Sequence, residues 1–182
     1  MGSPDFILRF PTLEDALPYL NFISEPGVAI WLEDRCQRPL SAVEIENFIF
    51  NDSWCPWAID VDGLFAGLTG FLDPVPERGE ARFFIVIGAS PLWGRGLGTE
   101  VTKSVVAKGF EELGLRRIVS SYLTPNIGSR VIHERAGFRI EGVQREVAWR
   151  NGEWIDQEIV SMLSNEYMER QPKLSSEPNS TI

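Results

Sequence analysis

The sequence predicts a mixed α/β domain built on a largely antiparallel sheet. Three observations predict it. Short strand-like runs are interleaved with stretches of helical period. Strand-like runs also flank Asp62-Gly63 and Asn151-Gly152, dipeptides that favour tight hairpin turns. An apolar run, "FFIVIG", leads into the glycine-rich "PLWGRGLGTEV" and then a long helical pattern, as a strand covered on both faces and followed by a turn and a helix would read. The length of 182 residues suits one domain with a core large enough to fold alone. Apolar residues make up 43%, the globular norm, which excludes wholesale disorder.

The elements follow in order. "FILRF" reads as a first strand stopped by Pro11. Thr12, with Asp15 three residues on, caps a helix running to about Leu20. Two prolines break the stretch from Ser24 to Leu40, which carries no clear period. Ser41 caps a second helix, "SAVEIENFIF", and Glu44 completes a capping box. "WAIDV", "LFAGLTGFL" and "EARFFIVIG" are the next three strands. Val101, Val105 and Gly109, beside Val106, Phe110 and Leu113, mark an amphipathic helix ending near Gly114. "RRIVSSYL" is a strand, Asn126 opens a helix that Gly137 ends, and two long strands close the pattern around Asn151-Gly152. The domain spans 1–168. The remaining 169–182 is polar and rich in Pro and Ser, the composition of a disordered tail.

Composition narrows the function. No apolar run approaches the roughly 18 residues of a membrane span, and the first residues lack the pattern of a secretory signal. Two cysteines without close spacing, Cys36 and Cys55, fit free thiols in a reducing cytoplasm. A single histidine excludes a His-rich metal site, so no metal is expected. With 26 acidic and 17 basic residues the net charge is −9, and no basic cluster extends beyond Arg116-Arg117. That balance disfavours nucleic acid and favours a cationic partner such as an amine or a basic peptide.

The glycines raise the question of a ligand. A helix N-terminus presents unpaired N–H groups and a partial positive charge, and anions bind there. Gly94, Gly96 and Gly98 leave the backbone bare at that point. Neither the Walker loop nor the dinucleotide fingerprint fits the spacing, since the stretch reads G-x-G-x-G after a fourth strand. A second motif, "NIGSRVIHERAGF", sharpens the case. On a helix, Asn126 and His133 lie about 20° apart and Ser129 about 60° from Asn126, so all three share one face.

Together the two motifs resemble those of the GNAT N-acetyltransferase superfamily. The extension "GFRIEGVQREVAWRNGEWIDQEIVSML" resembles its Rim-type branch, the ribosomal-protein alanine N-acetyltransferases and their relatives. The resemblance covers about residues 6 to 168. It implies a twisted, largely antiparallel sheet of about seven strands, with the fourth and fifth splayed apart. It implies acetyl-CoA as cosubstrate, its pyrophosphate cradled by Gly94, Arg95, Gly96, Leu97, Gly98 and Thr99. Val86 and Ile87 would pair their backbone with the pantetheine arm, and Asn126 would bond it beside Ser129. Trp93 stands where Gln or Arg is usual and is read as packing over the loop. His133 stands where many relatives place a tyrosine thought to protonate the departing thiolate, a role its ordinary pKa near 6.5 suits. Glu80 is the candidate base, with Glu141 the alternative. Trp31 and Trp57, with Trp54, are candidates for the acceptor wall. The expected reaction is acetyl transfer to a primary amine, either a protein N-terminus or a small amine such as a polyamine or antibiotic. The alternatives are a non-catalytic CoA sensor and a scaffolding domain. A monomer or homodimer is expected.

Overall fold

Asp62 and Gly63 have φ of 53° and 77°, and Asn151 and Gly152 have 50° and 86°. Positive φ at both central residues defines the type I′ turn, whose twist matches that of the strands it joins. The first turn links β2 (Trp54–Val61) to β3 (Leu64–Val75), and the second links β6 (Arg139–Arg150) to β7 (Glu153–Leu163). With β1 (Ile7–Arg9), β4 (Glu80–Ile87) and β5 (Arg117–Leu123) they form one sheet in the order β1-β2-β3-β4-β5-β7-β6. Every neighbouring pair is antiparallel except β4 and β5. This computed structural model describes residues 3–51 and 53–171; of the tail read at 169–182, residues 172–182 lie outside them.

Side-chain alternation along the strands builds a core on each face. On β4, Ala81, Phe83, Ile85 and Ile87 join one core, while Phe84 and Val86 join the other. The first core packs against α4 (Leu97–Ala107), whose Leu97, Val101, Val105 and Val106 are buried, and against α6 (Ser164–Arg170) through Tyr167. α5 (Ile127–Ala136) lies beside α4 on that face. The second core lies under α1 (Ala16–Ser24), α2 (Pro26–Ala29) and α3 (Ala42–Ile49), through Tyr19, Ile23, Val28, Ile45 and Ile49. Each fully buried aliphatic side chain contributes roughly 1.5–3 kcal/mol, so the two cores hold the layers on the sheet.

Some boundaries moved for physical reasons. α1 extends to Ser24, and a short tight turn, Leu13–Asp15, precedes it. The Asp15 carboxylate accepts from the Thr12 N–H at 2.7 Å and from both terminal guanidinium nitrogens of Arg9 at 2.7 Å, so a buried acid anchors that turn to β1. β2 begins at Trp54, ahead of Pro56. A proline is tolerated there because β1 pairs only with Ala58, Ile59 and Asp60, leaving that edge open at Pro56. After Ala107 the helix widens into a π turn, Lys108–Glu112, and Gly114 follows with φ of 64°. Ser41 caps α3 as read: its hydroxyl accepts from Glu44 N–H at 3.3 Å, and Glu44 returns a bond to Ser41 N–H at 2.9 Å.

Candidate active site

The parallel pair is the weak seam of the sheet. β4 and β5 are in register only from Glu80 to Arg82 against Arg117 to Val119, after which the pairing ends. Beyond that point a cleft of about 1260 Å³ opens, lined by both strands, α1 to α3, the start of α4, the length of α5 and the β6–β7 hairpin. The antiparallel ladder decides which β4 groups face it. Gly88 N–H donates to Ala66 carbonyl at 3.0 Å, opposite it in register. Alternation then turns the N–H and C=O of Val86 and Phe84 toward β3, and those of Ile87, Ile85 and Phe83 toward the fork. Of the two residues expected to offer backbone to a ligand, Val86 therefore turns its N–H and C=O to the sheet, and Ile87, with Ile85, turns them to the fork. Trp93 Nε1 donates to the Ile87 carbonyl at 2.8 Å, so the indole lies along this edge.

At one end of the cleft the chain turns into α4. Gly94 and Gly96 have φ of 73° and 86°, a conformation costly for a residue with a Cβ. Gly98 answers to packing instead: a Cβ there would come 2.5 Å from Ile132 Cδ1, so its bareness lets α4 and α5 approach. The first helical bond runs from Glu100 N–H to Gly96 carbonyl at 3.2 Å. The N–H groups of Leu97, Gly98 and Thr99 precede it and have no helical acceptor. Arg95, Lys103 and Arg135 line a second, outer pocket of about 490 Å³ with Gly94, Gly96, Thr99 and Glu100, the last paired with Lys103 at 2.9 Å. The sequence reading missed Lys103 and Arg135. No sequence signal placed Arg135 there, because it nears the loop only through the packing of α5 on α4 at Gly98 and Ile132.

At the fork, Asn126 caps α5: its Oδ1 accepts the Ser129 N–H at 3.0 Å. His133 is only 2% exposed, between the rings of Phe83, Tyr122 and Phe138. Its Nδ1 lies 2.8 Å from the Ser129 carbonyl, which can only accept, so Nδ1 carries the proton. Nε2 then accepts from the Ser120 hydroxyl at 2.9 Å. Burial lowers the pKa of the imidazole to about 4, with the Ser129 bond opposing it. Burial thus favours the neutral ring at neutral pH, which bears against His133 as a direct proton donor.

Glu80 and Glu141 are also displaced from the expected role. Both bind Arg117, at 3.0 and 2.6 Å, at the closed end of the β4–β5 seam, and neither lines the cleft. Trp31 lines the cleft. Trp57 does not; it lies on the α4 face of the sheet, edge-on to Phe71 at 6.1 Å. Trp54 is buried with Phe48 and Phe84, its Nε1 bonded to the Ile49 carbonyl. The acids at the rim, Glu33, Asp34 and Glu44, are each paired with an arginine. Arg150 matters most among these. It reaches from the β6–β7 hairpin to donate to the carbonyls of Ile30 and Leu32, at 2.9 and 2.7 Å, and to Asp34 at 2.8 Å, fastening the 30–34 loop over the cleft.

Comparison with known proteins decides the family. The profile described as "Acetyltransferase (GNAT) domain" matches residues 5–139. The chain belongs to the GNAT acetyltransferase family. Among relatives of Bacillus subtilis (strain 168), it is 38% identical over 71 residues to "Probable N-acetyltransferase YjcK", covering 39% of each chain. It is 32% identical over 142 residues to "Putative ribosomal N-acetyltransferase YdaF", covering 72% of this chain and 75% of that one. The match to YjcK thus spans well under half of that protein's length. In fold, this GNAT chain is similar to the spermidine N-acetyltransferase of Vibrio cholerae, solved with CoA and spermine. That likeness has a TM-score of 0.79 and 20% identity, over 90% of this chain and 98% of that one. Among the described residues, no helix is long and apolar enough to cross a membrane, and no cluster of three or more His, Cys, Asp or Glu is placed to hold a metal.

Proposed function

We propose that the protein is an acetyl-CoA-dependent N-acetyltransferase acting on a primary amine, on the Rim-type branch of the family. One observation carries this reading: the open edge of β4 and the unpaired N–H groups of α4 lie in a single continuous cleft. The coenzyme's diphosphate would lie on Leu97, Gly98 and Thr99, with Arg95, Lys103 and Arg135 receiving its remaining negative charge in the outer pocket. Its pantetheine arm would run along Ile85 and Ile87 toward Ser120 and Asn126. When bound, it supplies the acetyl thioester. The chain's own residues orient that group, present the amine and move protons. Trp31 is the aromatic wall for the acceptor, and Arg150 holds that wall in place. Because each acid at the rim is already paired with an arginine, no unneutralised acidic mouth among the described residues selects a polycation. This favours a protein N-terminus over a polyamine.

The test joins binding and turnover. CoA is expected to raise the melting temperature, and thiol release from acetyl-CoA is expected with peptides bearing a free α-amine, above the rate with spermidine. Binding without release on any peptide or amine would convert the reading to that of a CoA sensor. A melting temperature unmoved by CoA would remove both readings.

A further inference from the structure

Ser120 is the first residue of β5 past its last partner on β4, and Phe83 is the first residue of β4 past its own. Ser120 Oγ faces two acceptors for its one proton, the Phe83 carbonyl at 3.2 Å and His133 Nε2 at the shorter 2.9 Å, so it stands at the apex of the fork and lines the cleft. Behind it His133 Nε2 accepts its proton at 2.9 Å, and Nδ1–H is held by the Ser129 carbonyl at 2.8 Å. An oriented base bonded to a hydroxyl at a reaction cleft is the geometry of a proton relay.

We propose that Ser120 Oγ, backed by His133 Nε2, carries the proton that acyl transfer must move from nitrogen to sulfur. The inference rests on the acetyltransferase reading above. Transfer forms one C–N bond, breaks one C–S bond and relocates one proton, with no net change in oxidation state. In the first half, Ser120 Oγ accepts the proton leaving the nitrogen while its own passes to Nε2. In the second half both moves reverse, and Ser120 Oγ–H delivers the proton to the departing thiolate. While protonated, the imidazole has both N–H groups satisfied, by the Ser129 carbonyl and by Ser120 Oγ. Among the described residues nothing charged holds it in that state. Its walls are the rings of Phe83 from β4, Tyr122 from β5 and Phe138 ahead of β6. Tyr122 is the titratable group in ring contact, and Glu158 of β7 and Arg130 of α5 act on the Tyr122 hydroxyl. The buried imidazole therefore returns the proton and does not keep it. Ser120 is the catalytic residue, and His133 acts through it.

The test compares wild type with Ser120→Ala and Ser120→Cys. The protein has one histidine, so nitrogen-15 signals report this imidazole without ambiguity. Ser120→Ala is expected to keep the CoA-induced melting shift and lose about 10²-fold in kcat near neutral pH. Part of that loss should return toward about pH 9, as hydroxide replaces the missing carrier. The Nε2 signal is expected to move in the variant while Nδ1 stays protonated. Ser120→Cys, close in shape and able to pass a proton, is expected to fall between the two, and it carries the comparison if Ser120→Ala does not fold. A Ser120→Ala enzyme with kcat within about threefold of wild type from about pH 6 to pH 9 overturns the relay. So does a wild-type Nε2 that carries the proton in the neutral ring. A wild-type chain that acetylates no amine overturns the acetyltransferase reading, and the relay with it.

Discussion

Acidification is the sharpest probe of His133. The imidazole ionises near pH 6.5 in an unfolded chain and near pH 4 in the fold, chiefly because burial disfavours its charge. Between those values the unfolded state binds more protons, so stability falls as pH drops through that window and is fully present above it. Each unit is worth 1.36 kcal/mol, so the full loss is about 3 kcal/mol, with about 2 kcal/mol of it gone between pH 7 and pH 5. Below pH 4 this group contributes no further change. The assay is urea unfolding at intervals from pH 7 to pH 4 for wild type and His133→Gln. The carboxylates titrate alike in both, so the difference between the two slopes isolates the histidine. Parallel slopes, or a histidine that titrates by NMR near pH 6.5, would refute the reasoning.

Other perturbations separate the roles of neighbouring residues. Gly96→Ala forces a left-handed residue at the mouth of α4; it is expected to cost about 1–2 kcal/mol and, by titration calorimetry, to weaken CoA binding at least about tenfold by re-aiming the free N–H groups. Gly98→Ala pushes a Cβ onto Ile132, with an expected cost of about 1–3 kcal/mol read from the melting curve. Arg150→Ala releases the 30–34 loop and strips a donor from the Ile30 and Leu32 carbonyls. About 2 kcal/mol of stability should be lost, and the KM for the amine should rise more than kcat falls. Trp31→Ala should raise the acceptor KM at unchanged stability, whereas Trp57→Ala should lower the melting temperature at unchanged KM, because only Trp31 lines the cleft.

Local chemistry made much of this protein legible in its sequence. Asp62-Gly63 and Asn151-Gly152 specify their turns because few other residues accept positive φ twice in succession. Ser41 with Glu44, and Asn126 with Ser129, specify helix starts because a short side chain can reach the orphan N–H groups. The glycine stretch announced a helix mouth for the same local reason. The strand runs and the two hairpin pairings, β2 with β3 and β6 with β7, followed from such signals.

Tertiary structure decided the rest, because face and distance are set by pairing between remote segments. His133 shares a helical stripe with Asn126, yet that stripe meets β5, and the aromatic rings there desolvate the imidazole and fix its proton on Nδ1. Glu80 and Ser120 both belong to the β4–β5 seam, but register puts Glu80 at its closed end and Ser120 at its apex. Trp31 and Trp57 look equivalent in the chain until the pleat of β2 sends Trp57 to the other face. Arg150 reaches a loop 116 residues away in sequence, which no window of neighbours can register. The sequence by itself determined the turns, the caps and the bare helix mouth, since those depend on adjacent residues. Which side chains meet in the cleft was decided by the parting of two parallel strands, a property of the assembled sheet.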